Sequence, residues 1–220
     1  LKIREKPTHV IFDLDGVLLD TEPLYTQATQ EVVGELGAVF DWSVKAGMIG
    51  RSDIEGARYL VRTLGIALEP EEYLRRREPI LNRLLATAPE MAGARQLVQA
   101  LAARAVPLGL ATSSTHEQFL LKTRAHDWFE VFGAVVCGDD ERIGALKPAP
   151  DIFLLTAAEL GADPARCVVL EDSLAGVESA LAAGMQVVAM PDPAVDAARF
   201  SHATVVVRSF AELSPSDLGL

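Results

Sequence analysis

Residues 9–21 read His9-Val10-Ile11-Phe12-Asp13-Leu14-Asp15-Gly16-Val17-Leu18-Leu19-Asp20-Thr21. The segment opens as an apolar, β-rich run and ends on two acids two positions apart, followed by glycine. The run His9–Leu14 predicts a strand. It is apolar throughout rather than alternating, so both of its faces are expected to be covered, as in a parallel sheet flanked by helices. Further runs of the same kind follow at Leu108–Ala111, Ala134–Cys137, Val168–Leu170, Gln186–Met190 and Thr204–Val207. Together they predict an α/β fold with a doubly wound parallel sheet.

The segments between these runs carry helical periodicity with recognisable ends. Ala94–Arg104 sets Leu97, Val98 and Leu101 on one face. Ser114-Thr115-His116-Glu117 reads as a capping box opening a helix with Phe119 and Leu120. Pro150 starts a helix that turns Ile152, Phe153, Thr156 and Leu160 inward and closes at Gly161. Ser173–Ala183 ends at Gly184.

One stretch interrupts the alternation. Between residues 20 and 88 no strand is needed, and three amphipathic helices are expected. The first uses Tyr25, Ala28, Val32 and Leu36. The second opens with the capping box Ser52-Asp53-Ile54-Glu55 and the third follows Pro70, carrying Tyr73, Ile80, Leu81, Leu84 and Leu85. The expected organisation is an α/β core of residues 1–19 and 89–220 with a small helical domain, residues 20–88, inserted after the first strand.

The 220 residues suit one core plus such an insert, with 50% hydrophobic and 23% charged residues. The net charge of -11 argues against wrapping a nucleic-acid polymer. No apolar run is long enough to span a membrane. Residues 1–6 lack an apolar export segment, and Cys137 and Cys167 stand alone in strand-like runs, so a cytoplasmic protein with buried thiols is expected. A monomer is the default.

In open parallel sheets ligands bind beyond the carboxyl ends of the strands. There the predicted strands end in Asp13-Leu14-Asp15-Gly16, Thr112-Ser113-Ser114, Gly138-Asp139-Asp140 and Glu171-Asp172-Ser173, and Lys147-Pro148 lies in the loop between the last two. Crowded carboxylates repel unless a cation sits among them, and hard oxygen ligands suit Mg²⁺. One of Asp13 and Asp15 can attack phosphorus while the other handles protons. The Thr112 hydroxyl and the N–H groups of Ser113 and Ser114 open a helix that can cradle phosphate, and Lys147 adds positive charge. These are the parts that phosphoryl transfer needs.

At these residues the chain resembles the haloacid dehalogenase superfamily of phosphatases. The signatures are Asp13-Leu14-Asp15-Gly16-Val17-Leu18-Leu19-Asp20-Thr21, Leu110-Ala111-Thr112-Ser113-Ser114, Lys147-Pro148-Ala149-Pro150-Asp151, and Leu170-Glu171-Asp172-Ser173 with Ala175-Gly176-Val177. The resemblance implies a Rossmann-like core with the helical insert as a mobile cap. It implies a phosphate carried covalently on Asp13, with Asp15 as general acid and base. It also implies Mg²⁺ held by Asp13, the backbone carbonyl of Asp15 and Asp172, with Glu171 a ligand or a support for the ligands. Thr112, Ser113 and Lys147 would hold the phosphoryl group. The expected substrate is a small phosphorylated metabolite.

Within the superfamily, the stretch 110–140 and the segment from Glu178 to Met190 are similar to the pseudouridine-5′-phosphatases, which implies a nucleotide or a sugar phosphate as substrate. The β-phosphoglucomutases share nearly all core signatures, but Tyr25 stands where they carry a histidine, which speaks against mutase action. A phospho-accepting receiver module is shorter and has no helical insert, and Asp15 favours phosphate work over dehalogenation. Arg51, beside Gly50, is the candidate substrate contact from the insert or else ordinary surface. Asp139-Asp140 is either a solvated acidic turn or an indirect support of the metal site.

Overall fold

The computed structural model describes residues 6–48 and 51–220. Residues 1–5, part of the segment read as carrying no export signal, and Gly50, which precedes Arg51, lie outside the described residues. Six strands form one parallel sheet in the order β3-β2-β1-β4-β5-β6. They are β1 (His9–Phe12), β2 (Leu108–Thr112), β3 (Ala134–Cys137), β4 (Cys167–Glu171), β5 (Gln186–Ala189) and β6 (Val205–Val206). The chain walks outward from β1 through β2 to β3, then returns to pair β4 on the free side of β1. That reversal opens a crevice beyond the carboxyl ends of β1 and β4, where this topology binds its ligands.

Burial follows the strand parity. Ile11, Ala111, Val136, Val169 and Val187 pack with Ile152, Phe153 and Ala157 of α7 (Asp151–Glu159) and Val177 and Ala180 of α8 (Leu174–Ala182). Residues of opposite parity, among them Val10, Phe12, Leu110 and Val168, are equally enclosed. Covering both faces is what the uninterrupted apolar runs required. The helix α5 (Ala94–Ala102) buries Leu97, Val98 and Leu101 as its period predicts.

The strand β1 is shorter than expected, and the reason is local. The Asp13 N–H still bonds Leu170 O at 3.0 Å, but Leu14 O then takes both Leu18 N and Leu19 N, and Gly16 N bonds Leu19 O. The chain curls into a tight turn at the point where the acids sit. The capping box is also displaced by one residue. Thr115, not Ser114, caps α6 (His116–Thr123), in a reciprocal box with Gln118.

By backbone contacts the chain divides into two compact units, Leu1–Asp20 with Pro89–Leu220, and Thr21–Ala88. The second contains α1 (Glu22–Gly34), α2 (Trp42–Ala46), α3 (Asp53–Leu64) and α4 (Pro70–Leu85). The short α2 was not expected. It has too few residues for an apolar period, and it is started by Asp41, whose carboxylate accepts from Ser43 N and Val44 N. Leu36 lies beyond the end of α1 and is exposed; Val33 takes the inward place.

This unit's core gathers Val32, Val33, Phe40, Val44, Ala57, Leu60 and Tyr73. The Tyr73 hydroxyl is buried and hydrogen-bonds the Thr29 hydroxyl at 2.9 Å. Tyr73→Phe is expected to lower stability by about 1 kcal/mol, because Thr29 loses its partner inside the core. A urea melt read by intrinsic fluorescence checks this, and a variant as stable as the parent would contradict it.

Candidate active site

Lys147 joins two acids that lie far from it in sequence. Its Nζ stands 2.5 Å from Asp13 Oδ1 and 2.7 Å from Glu171 Oε1, and also donates to Ala111 O at 3.2 Å. The three side chains are only 6%, 9% and 1% exposed, for Lys147, Asp13 and Glu171. Burial pushes the Asp13 carboxyl up; Lys147 pulls it down, and Glu171 and Asp15 push it up again, leaving it raised, to about 7. Burial pulls Lys147 down, but the Asp13 and Glu171 carboxylates outweigh this and hold it above the ordinary lysine value.

Glu171 is locked from its other side. Its Oε2 accepts from Ser173 N at 2.8 Å and Ser173 Oγ at 3.0 Å, while Ser173 Oγ in turn accepts from Gly176 N and so caps α8. A β-carbon at Gly176 would coincide with the Glu171 carboxylate. The glycine in Ala175-Gly176-Val177 is thus the space into which Glu171 fits.

Asp15 engages a different cation. Lys122 Nζ lies 2.7 Å and 2.8 Å from its two carboxylate oxygens, and Ser114 Oγ donates to Oδ2 at 2.9 Å. The two acids of the Asp13-Leu14-Asp15 segment do not act from one extended strand, because the turn begins between them. They remain close enough for the Asp15 charge to raise the pKa of Asp13. Lys122 lies in the stretch that carries the resemblance to pseudouridine-5′-phosphatases, but the sequence reading assigns it no role beside Asp15.

The phosphate-binding candidates stand at the end of β2. Thr112 is buried, and its Oγ1 accepts from Ser114 N at 3.1 Å, which leaves its own proton to donate. Ser113 is exposed at the same turn. The next helix, α6, is held at its start by Asp139, whose Oδ1 accepts from His116 N at 2.9 Å. Asp140 folds onto Arg142, and hydrogen bonds from that side chain and its backbone N–H hold the Asp140 carboxyl down at about 2. Asp139 therefore anchors the start of α6, while Asp140 orders its own turn with Arg142.

Asp172 lies against the Asp15-Gly16 turn. Gly16 has φ +75°, and a β-carbon there would strike the Asp172 carboxylate. Only glycine permits both that backbone and that approach. The oxygens of Asp13, the Asp15 carbonyl and Asp172 are of the hard kind that Mg²⁺ accepts together with water and phosphate. Among the described residues no three His, Cys, Asp or Glu side chains are grouped for metal ligation. Both Glu171 oxygens are already hydrogen-bonded, which fits a supporting part better than direct ligation.

Arg51 lies in the helical unit just before α3. Its Nε bonds Gly47 O at 2.7 Å and its guanidinium covers the Tyr59 ring at 5.1 Å. With Glu55, Arg58, Tyr59 and Arg62 it lines a depression of about 270 Å³. Cys137 and Cys167 are free and buried, and burial pushes both thiols up to about 11. Among the described residues no helix is long and apolar enough to cross a membrane.

Comparison with known proteins agrees with this architecture. A family model for haloacid dehalogenase-like hydrolases matches residues 7–184. The chain is 41% identical over 223 residues to the "Probable pseudouridine-5′-phosphatase" of Drosophila melanogaster, covering 100% of this chain and 96% of that one. It is 39% identical over 219 residues to "(DL)-glycerol-3-phosphatase 2" of Arabidopsis thaliana, covering 97% and 91%. Among solved structures, a HAD family hydrolase from Deinococcus radiodurans R1, with bound phosphate and sodium, superposes with a TM-score of 0.83 at 30% identity, covering 97% of each chain. The six-stranded order, the signatures placed at the strand ends and the match over most of the chain establish that it belongs to the haloacid dehalogenase-like hydrolase family.

Proposed function

We propose that this chain is an Mg²⁺-dependent phosphatase that hydrolyses a small phosphomonoester through a phosphate carried on Asp13. The observation that carries this is the enclosed Asp13–Lys147–Glu171 cluster at the ends of β1 and β4. A buried carboxylate set beside a buried ammonium is a nucleophile placed next to its charge stabiliser.

In the first step an Asp13 oxygen bonds to phosphorus while the ester P–O bond breaks, and the Asp15 carboxyl gives its proton to the leaving oxygen. In the second, water attacks the phosphorus of the acyl phosphate and the Asp15 carboxylate takes its proton. Asp13 is released as carboxylate, inorganic phosphate leaves, and Asp15 regains the proton it gave. Lys147, Thr112 and the N–H groups of Ser113 and Ser114 bind the phosphoryl oxygens, and Glu171 aims Lys147. Asp13, the Asp15 carbonyl and Asp172 would hold Mg²⁺, with Glu171 as their support; bound there, the ion supplies positive charge that offsets the charge building on the phosphoryl group.

Residues 20–88 act as a cap that limits water during the first step, with Arg51 as its substrate contact. Nucleotides such as pseudouridine 5′-phosphate, and sugar or polyol phosphates, are the substrates that the names of the relatives favour. Tyr25 at the mutase histidine position and the phosphatase names favour hydrolysis over mutase action. The chain acts as a monomer on a small metabolite, with neither nucleic acid nor membrane as partner, in a reducing cytoplasm that suits its two unpaired thiols.

A phosphate-release screen over pseudouridine 5′-phosphate, glycerol 3-phosphate and sugar phosphates tests this directly. Activity is expected with Mg²⁺, to fall to background in excess chelator, and to return when Mg²⁺ is restored. Full turnover in chelator would overturn the metal requirement; no release from any ester would overturn the function.

A further inference from the structure

Lys122 belongs to none of the signatures, yet it is the most enclosed cation at this end of the sheet. Its side chain is 0% exposed. The ammonium meets Asp15 Oδ1 at 2.7 Å, Asp15 Oδ2 at 2.8 Å and Ser114 Oγ at 2.8 Å, and Ser114 Oγ also donates to Asp15 Oδ2. Asp15, lysine and serine thus form a closed ring of contacts around one carboxylate. Burying an ammonium is unfavourable unless it is fully paired, so a position that only filled space would favour an apolar residue.

The helix that carries Lys122 is itself fixed. Thr115 caps it in a reciprocal box, and Asp139 takes its first N–H. Phe119 and Thr123 are buried on the same side as Lys122, while Leu120 is 53% exposed. The lysine is therefore aimed inward by a rigid element, in preference to a leucine two residues away.

We propose that Lys122 is the positioning residue for Asp15. Taking Asp15 as the proton-exchanging group named above, Lys122 and Ser114 hold its carboxylate in one side-chain conformation through both half-reactions. A carboxylate has about four acceptor sites, so being gripped in this way is compatible with exchanging a proton. A catalytic acid held in one place avoids the loss that comes from searching rotamers in each step.

The test pairs kinetics with crystallography. Lys122→Met keeps the stem and removes the charge. It is expected to lower kcat by about 10- to 100-fold with KM changed less than threefold, since general acid–base work is worth about 10²–10⁴. The loss should be larger for an alkyl phosphate than for 4-nitrophenyl phosphate in the rate of leaving-group release, because nitrophenolate departs without a proton. In an Asp15→Ala background the same substitution should change nothing further. A merely structural role would lower both backgrounds alike, and that result would overturn the proposal.

The crystal structure of Lys122→Met should show Asp15 displaced while Asp13 and Lys147 stay in place. An Asp15 carboxylate in its original position would also overturn the proposal, and would do so even if the protein hydrolysed no phosphate ester. Should Lys122→Met not fold, Ser114→Ala takes its place, with a smaller kcat loss that must likewise vanish in the Asp15→Ala background.

Discussion

Asp13→Asn is expected to abolish phosphate release, lowering kcat by at least about 10⁴-fold, on the scale seen when a covalent nucleophile is removed. The substitution is nearly isosteric, and an amide oxygen can still accept from Lys147, so binding and fold are expected to persist. Only the capacity to form an acyl phosphate is removed. In the parent, acid-quenched turnover should leave a phosphate label on the peptide containing Asp13, labile to hydroxylamine. Mass spectrometry must exclude deamidation back to aspartate. A pure Asp13→Asn protein that still releases phosphate within about a hundredfold of the parent would place the nucleophile elsewhere.

Lys147→Met is expected to damage stability and rate together. Removing one member of a buried ion cluster leaves the others uncompensated, and such losses run to about 3–5 kcal/mol. The rate should fall by about 10²–10³-fold, as for loss of one oxyanion donor. The stability effect should depend on pH. In the parent, Lys147 is the cation that lowers the Asp13 pKa against burial and two neighbouring acids. Without it, Asp13 in the folded state titrates still further above its unfolded value. A carboxyl with a raised folded pKa leaves stability intact below the unfolded pKa of about 4 and removes it as pH rises towards the folded value. The gap between parent and variant, measured by urea melts in chelator, is therefore flat from about pH 4 to the parent's folded value of about 7 and widens above it, towards the variant's higher folded pKa. A gap that does not change with pH would show that Asp13 does not depend on Lys147 for its charge.

The sheet was legible in the sequence because β1 through β5 are apolar on both faces, and a strand covered twice has no alternative reading once Gly and Pro bound it. The acids were legible because they fall at the ends of those strands, where topology gathers residues that sequence separates, and Lys147 because it lies in the loop that follows one of them. Glu171 was ambiguous between ligand and support, since its two-sided grip by Lys147 and Ser173 exists only in three dimensions. The tight turn after Phe12, which sends Asp13 and Asp15 to different lysines, follows from Leu14 O serving two N–H groups, and no residue type announces that. Lys122 stands in the stretch that resembles the pseudouridine-5′-phosphatases, but its place beside Asp15 was obscured by composition. In Gln118-Phe119-Leu120-Leu121-Lys122 the expected inward residues are leucines, whereas the structure turns Leu120 out and Lys122 in. Its position three after Phe119, on one helix face, was the available signal. The short α2 was lost for want of length, although Asp41-Trp42-Ser43 carries the capping pattern.

The path by which the chain leaves the sheet unit and comes back has a practical consequence. Asp20 N bonds Pro89 O at 2.9 Å, and Leu19 and Glu90 sit opposite each other as an antiparallel bridge. Departure and return share one seam, so no strand register depends on what is threaded between them. A foreign helical module, or a bare turn of a few residues, spliced at that seam needs to span only about one hydrogen-bond length and asks nothing new of β1 or β2.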